Sequence, residues 1–135
     1  MTTQSNTERS IFDIVGADFF ARLVDAFYDG VEHDAVLLPL YPEGSDTVGA
    51  RHRLTMFLIQ YWGGPDQYME ERGHPRLRMR HNPYVIGDKE RDHWLMHMAS
   101  AIETVITDVA EDDRNHVTQE LAQYMVNAAE HLRNA

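Results

Sequence analysis

An all-α fold is what this amino-acid sequence predicts, on three observations. Apolar residues recur at spacings of three and four through every long window. No stretch alternates apolar and polar residues as a half-buried strand would. Glycine, proline and aspartate clusters punctuate the chain between the apolar stripes. The expected architecture has four principal helices with short ones between them, in one domain of 135 residues with no repeat, linker or internal boundary.

Residues 1–9 are polar and read as a disordered tail ahead of a domain spanning 10–135. Ser10 is placed to cap a short helix through Ile11, Phe12 and Ile14 that Gly16 ends. From Ala17 to about His33, the residues Phe20, Leu23, Val24, Phe27, Tyr28 and Val31 mark a helix with one wide buried face. A short helix is expected from Asp34 to Leu38, broken near Pro39 and Pro42, and Tyr41 to Asp46 is a loop by its turn chemistry.

Ala50, Leu54, Phe57, Leu58 and Tyr61 form the next stripe, closed by Gly63-Gly64-Pro65, and Asp66 to Glu71 adds a further turn or two. After Gly87, Asp88 is placed to cap a long helix carrying Trp94, Leu95, Met98, Ala101, Ile102, Val105 and Val109. A last helix from about Asp112 to Arg133 carries Val117, Leu121, Met125, Ala128 and Leu132.

Composition narrows the function. Twelve basic residues against 22 acidic ones give a formal charge of −10, which repels phosphate backbones and anionic lipid, so neither nucleic acid nor a membrane surface is an expected partner. The absence of cysteine excludes disulfides, thiolate nucleophiles and sulfur-ligated metal sites. The N-terminus lacks the apolar core of a secretory signal, and no apolar run approaches the roughly 20 residues that span a bilayer. A soluble cytoplasmic protein is therefore expected. Gly63-Gly64 has no phosphate-loop context, and no Gly-x-Ser-x-Gly elbow is present.

Against that acidic background, Arg72 to Pro83 stands out: Arg-Gly-His-Pro-Arg-Leu-Arg-Met-Arg-His-Asn-Pro. His81 falls in the last turn of a short helix that Pro83 must end, where the helix dipole favours a basic imidazole. Leu77, one turn earlier, offers an apolar platform, and Arg80 and Arg53 could each grip a carboxylate with two parallel hydrogen bonds. A metal carrying anionic arms, such as haem with its propionates, suits that set. An exposed helix with solvated or ion-paired arginines is the reading that the local residues alone favour.

The other histidines separate by position. His33, His52, His116 and His131 fall on polar faces or at helix ends, where solvation is expected. His93 and His97 are spaced i, i+4, which lets both reach one metal if their face points inward, but the buried stripe through Trp94, Met98 and Ile102 leaves them at its margin. A di-iron site fails, because the second Glu-x-x-His, Glu71 to His74, contains Gly73 and abuts Pro75. Tyr28 and Trp94 lie on buried stripes and Tyr41 turns inward, so each needs an acceptor. Converging on one cavity, the three suit a diatomic ligand that gains negative charge on binding ferrous haem. Separately, each could pack in the core and bond a backbone carbonyl.

Three motifs in order, Met56-Phe57-Leu58-Ile59-Gln60-Tyr61-Trp62-Gly63-Gly64-Pro65, the arginine run through His81, and Glu90-Arg91-Asp92-His93-Trp94, resemble the truncated haemoglobins. The similarity is to the second group of that family, in its actinobacterial O type, from about Ile11 to Leu132. The resemblance implies a truncated globin, a two-over-two helical sandwich binding haem b, with His81 as the iron's proximal ligand. It makes Tyr28, Tyr41 and Trp94 the distal hydrogen-bonding residues and sets Arg53 and Arg80 near the propionates. Ala50, Leu54, Phe57, Leu77, Tyr84, Ile86, Met98 and Met125 then contact the cofactor, Ala50 standing where vertebrate globins carry the distal histidine. The segment from Tyr41 to Ala50 is one residue longer than the family pattern, and Gly16 stands where many members carry two glycines.

The function so implied is binding of O2, NO, CO or peroxide at a five-coordinate iron. A strongly caged O2 suits storage, sensing or redox chemistry more than bulk transport. NO dioxygenase or peroxidase turnover would draw on an external reductase, since the chain shows no reductase domain. A homo-oligomer is left open. The rival from another class is a haem-independent helical interaction domain whose arginines bind an acidic partner.

Overall fold

The computed structural model describes residues 9–41, 46–72 and 86–134, and every regular element among them is helical. Helix α1 spans Ile11–Val31, α2 Val48–Tyr61, α3 Gln67–Arg72, α4 Asp88–Val105 and α5 Glu111–Leu132, with 3-10 turns at Leu38–Leu40 and Ile106–Asp108. The all-α expectation holds, and the individual elements show where local chemistry sets the boundaries.

Ser10 caps α1 as its sequence position predicts. Its hydroxyl accepts the Asp13 N–H at 3.0 Å, and the Asp13 carboxylate accepts the Ser10 N–H at 3.3 Å, a reciprocal capping box. Gly16 adopts φ +78°, ψ 171°, so α1 consists of two helical stretches joined by a kink at that residue. Beyond it Phe20, Leu23, Val24, Phe27, Tyr28 and Val31 are all buried, which is the predicted face. Each large side chain buried there contributes about 1.5–3 kcal/mol by transfer from water, and truncating one, such as Phe20→Ala, costs about 3–5 kcal/mol.

The helix expected from Asp34 to Leu38 does not form. The Asp34 carboxylate instead accepts the N–H groups of Val36 and Leu37, a turn that competes with helix, and the 3-10 turn follows at Leu38–Leu40. Pro39 lies inside that turn at its first positions, where a missing N–H costs nothing, and does not break a preceding helix.

On α2, Ala50, Met56, Phe57 and Leu58 are buried and Leu54 is half-buried, but Tyr61 is 51 % exposed, a correction to its place on the predicted stripe. The Tyr61 ring lies on Tyr124 of α5 at 4.2 Å between centroids. The Gly63-Gly64 turn then docks on the start of α1, with the Phe12 N–H donating to the Trp62 carbonyl at 3.0 Å. Gly63 has φ +105°, and a Cβ there would meet the Ser10 Cβ at 2.7 Å, so both the conformation and the space require glycine.

Gly87, not Asp88, caps α4, because Glu90 reaches back to accept the Gly87 N–H at 2.8 Å. The helix stops at Val105 and the chain tightens into a 3-10 turn, so Val109 is buried but lies outside the predicted helix. In α5 the acidic first turn of Glu111, Asp112 and Asp113 complements the helix dipole. Its buried stripe runs through Val117, Leu121, Met125 and Ala129; Ala128 and Leu132 are only half-buried.

Helix α1 packs on α2 and α4 on α5, and the two pairs join chiefly through α1 against α4. Among the described residues no helix is long and apolar enough to cross a membrane.

Candidate functional site

Three aromatic residues on three elements meet where α1, the Leu38–Leu40 turn and α4 come together. Tyr28 sits in the last turns of α1 and is buried; its ring meets that of Tyr41 edge-on, 5.4 Å between centroids. Trp94, in the second turn of α4, packs edge-on against Phe27 at 5.5 Å. The Tyr41 hydroxyl lies between Tyr28 and Trp94, close enough for both side chains to act on it. An indole N–H can only donate, so a chain of hydrogen bonds through these groups runs from Trp94 Nε1 to the Tyr41 oxygen and from the Tyr41 O–H to the Tyr28 oxygen. The Tyr28 O–H is thereby left as the terminal donor of the chain.

Burial raises the Tyr28 hydroxyl to about 12, against the opposing effects of the Tyr41 hydrogen bond and the Arg53 and Arg51 charges. Tyr41 is pushed well above the ordinary phenol range, first by burial and then by Tyr28. Both phenols therefore stay protonated donors at neutral pH. That is the donor chemistry suited to a ligand that gains negative charge when it binds.

Arg51, which sequence reasoning leaves unassigned, ties α2 to α1 beside this cluster. Its guanidinium contacts Asp25 at 3.1 Å, Asp29 at 3.0 Å and Glu32 at 2.8 Å, and its Cζ lies 5.8 Å from the Tyr28 ring centroid. Burial alone would lower the arginine, but the three carboxylates outweigh it and raise it further. Thr47 donates to the same Glu32 carboxylate, and its bond together with that of Arg51 lowers Glu32 below the usual range. The negative spacing i, i+4, i+7 of Asp25, Asp29 and Glu32 on one helix face was the signal available in the sequence.

The loop between α1 and the 3-10 turn is anchored by a buried aspartate. Asp34 Oδ2 accepts from His93 Nδ1 at 2.8 Å and from His97 Nε2 at 2.7 Å, while Oδ1 takes the Val36 and Leu37 N–H groups at 2.8 and 3.3 Å. Burial would raise this carboxyl, but the hydrogen bonds of His93, His97, Val36 and Leu37 outweigh it and hold the group well below the usual carboxylate range. His93 and His97 thus share an aspartate, and no cluster able to hold a metal ion occurs among the described residues. Of the remaining histidines, His33, His52 and His131 are exposed as expected, and His116 is half-buried.

The other candidate contacts divide by location. Ala50, Phe57, Met98 and Met125 are buried in one apolar cluster with Tyr28, and Leu54 packs against it half-buried. Arg53 is half-buried near enough to Tyr28 for its charge to act there. Ile86 is half-buried and pinned to Asn134: its N–H donates to the Asn134 side-chain Oδ1 and its carbonyl accepts the Asn134 N–H, both at 2.8 Å. Leu77, Arg80, His81 and Tyr84 lie outside the described residues. A separate surface cleft of about 510 Å³ between the end of α2 and α5, floored by Tyr61, Trp62 and Tyr124, contains none of the candidate residues.

Residues 10–129 match the family model described as Bacterial-like globin. The group 2 truncated hemoglobin YjbI of Bacillus subtilis is 39 % identical over 94 residues, 70 % of each chain. A thermostable hemoglobin of the actinobacterium Thermobifida fusca superposes with a TM-score of 0.85 at 47 % identity, covering 94 % of this chain and 98 % of that one. A truncated oxygen-avid haemoglobin of Bacillus subtilis superposes with a TM-score of 0.82 at 33 % identity, covering 93 % and 100 %.

Proposed function

This chain belongs to the bacterial-like globin family, in the group II truncated haemoglobins, and from that premise we propose that it binds O2 at haem and holds it through Tyr28, Tyr41 and Trp94. Haem b is the cofactor, and small-ligand binding at haem is the function that goes with it. The interaction-domain reading of the arginine run is set aside on that ground. When bound, haem supplies a ferrous iron with a coordination position open to a diatomic ligand.

The observation that carries the reading is the convergence of Tyr28, Tyr41 and Trp94 at one place in the fold, ordered as a donor chain from Trp94 through Tyr41 to Tyr28 by their chemistry. Its residues fit the group. A phenol O–H at the end of the chain adjoins the apolar cluster containing Ala50, Phe57, Met98 and Met125. Tyr28 donates to the ligand, and Tyr41 and Trp94 polarise and orient that donor. Each hydrogen bond in such a chain strengthens the next in a low-dielectric interior. The oxygen-avid character of the B. subtilis relative accords with slow release.

His81 is the protein ligand to the iron in this proposal, with Leu77, Tyr84 and Ile86 beside it and Arg80 and Arg53 toward the propionates. Its support is the family resemblance of the run from Arg72 to Pro83, in which His81 stands two positions before a proline. A second nitrogen bonded to a backbone carbonyl would fix its orientation. The strong caging favours storage, sensing or redox chemistry on NO or peroxide, fed by an external reductase, in the cytoplasm.

The absorption spectrum tests the reading. A Soret band that survives desalting and disappears in His81→Ala is expected; colourless protein that refuses added haemin would overturn it. Stopped-flow mixing of the oxy form with NO then decides the redox role. Stoichiometric nitrate formation supports it, and simple ligand exchange removes it.

A further inference from the structure

We propose that Asp34, gripped by His93 and His97, is a positioning group for the distal donors: it locks the segment that carries Tyr41 onto α4 in register with Trp94. Its functional half rests on the haem reading above; its structural half stands alone.

The first ground is connectivity. Asp34 and Tyr41 are the two ends of one short segment, and that segment is hydrogen-bonded throughout. Asp34 Oδ1 accepts from Val36 and Leu37, its carbonyl accepts the Leu38 N–H at 3.0 Å, the Leu37 carbonyl accepts the Leu40 N–H at 2.9 Å, and the Leu38 carbonyl accepts the Tyr41 N–H at 3.1 Å. Displacing Asp34 therefore displaces Tyr41.

The second ground is where the two ends attach. Both reach α4: the Asp34 carboxylate bonds His93 and His97, and the Tyr41 hydroxyl comes within reach of Trp94, the neighbour of His93. A carboxylate only accepts, so His93 carries its proton on Nδ1 and His97 on Nε2. Two ties between the same segment and the same helix define its position along α4 and its rotation. One tie would leave the rotation free.

The third ground is the room made for His97. A Cβ at Gly30 would stand 2.4 Å from His97 Nδ1, so the imidazole lies against the backbone of α1. Only glycine at that position lets α1 and α4 approach closely enough for Nε2 to reach Asp34.

A merely structural polar cluster would change stability and leave the donor chain alone, which separates the two roles. In the CO-bound ferrous protein, the Trp94 indole proton is expected to be slow to exchange and to lose that protection in Asp34→Asn and His97→Gln. O2 release from both variants should quicken roughly three- to tenfold, the scale of one ordinary hydrogen bond. On a Tyr41→Phe background the same substitutions should have almost no further effect, because the group they position is gone. Arg114→Met, which removes bonds to the Thr107 and Val109 carbonyls far from the site, supplies a control that lowers stability without moving the indole proton.

An unchanged indole resonance in Asp34→Asn overturns the proposal, as does an equal acceleration with and without the Tyr41 hydroxyl. The indole proton is also readable in protein that carries no haem. Colourless protein therefore counts against the haem reading, while the indole proton still decides on the clamp.

Discussion

The imidazole of His97 rests against Gly30, the missing Cβ of which would stand 2.4 Å from Nδ1. In an exposed helix interior, Gly→Ala stabilises by roughly 0.5–1 kcal/mol through backbone entropy. Here the sign should reverse. Gly30→Ala must push the ring off Asp34, and overpacking of this kind costs about 1–3 kcal/mol. Urea unfolding of the variant gives the answer, and a raised midpoint would show that the contact is slack.

Removing the donors should act in graded order. Tyr28→Phe deletes the terminal O–H and is expected to accelerate O2 dissociation roughly 10- to 100-fold, since a hydrogen bond to a charged partner contributes about 1.5–3 kcal/mol. Trp94→Phe deletes the first member of the chain and should also quicken release, but by less, because its N–H acts through Tyr41. Flash-photolysis and stopped-flow off-rates measure both. No change in Trp94→Phe would remove the indole from the donor set.

Acid should weaken the protein partly through Asp34. Its carboxyl lies below the usual range when folded and at about 3.9 when unfolded, so in acid the unfolded chain binds the extra proton. The stability it supplies is complete above about pH 5 and drains away as pH falls through the unfolded value toward the folded one. Asp34→Asn should flatten the stability curve below about pH 5, read from denaturant midpoints at a series of pH values. Parallel curves for the variant and the native chain would contradict this.

Alkali acts in the opposite sense through Tyr28. Burial raises its hydroxyl to about 12, so the folded protein resists ionising it while the unfolded chain ionises near 10. The stabilisation from keeping this phenol neutral is complete below about pH 10 and is lost as pH rises toward 12. Ultraviolet titration of phenolate should show a late-ionising group missing from Tyr28→Phe.

Arg51 should reveal itself through salt. Its partners Asp25 and Asp29 are largely exposed, so screening reaches them. Arg51→Gln is expected to lower the melting temperature at low ionic strength, with a smaller deficit in concentrated salt. A deficit independent of salt would mean that the side chain acts by packing over Tyr28.

The helical stripes were legible because burial leaves a 3.6-residue period, and the faces of α1 and α5 follow it closely. Boundaries were less so. Asp34 looked like the start of a helix, yet its carboxylate captures two N–H groups and makes a turn, a choice settled by His93 and His97 from far along the chain. Tyr61 fitted a stripe but lies exposed on Tyr124, because contact between helices, not periodicity, decides which edge of a face is covered. In the site, Tyr28, Tyr41 and Trp94 were accessible as donors needing acceptors; their order in a chain was not, since it depends on how three elements cross. Asp34, Arg51 and Gly30 left little local trace, because each matters only through residues distant in sequence.

That distance bears on how the protein assembles. Asp34 and His97 are separated by 63 positions, so their contact is a long-range closure between α4 and the segment that follows α1. Non-local closures of this kind carry the chain-entropy cost that slows folding. Tyr28 takes its place with α1 alone, whereas the relation of Tyr41 to Trp94 depends on the same long-range closure. Cofactor arriving before that moment would meet a half-built cage, so the order of docking and loading should govern how fast newly made chains become competent.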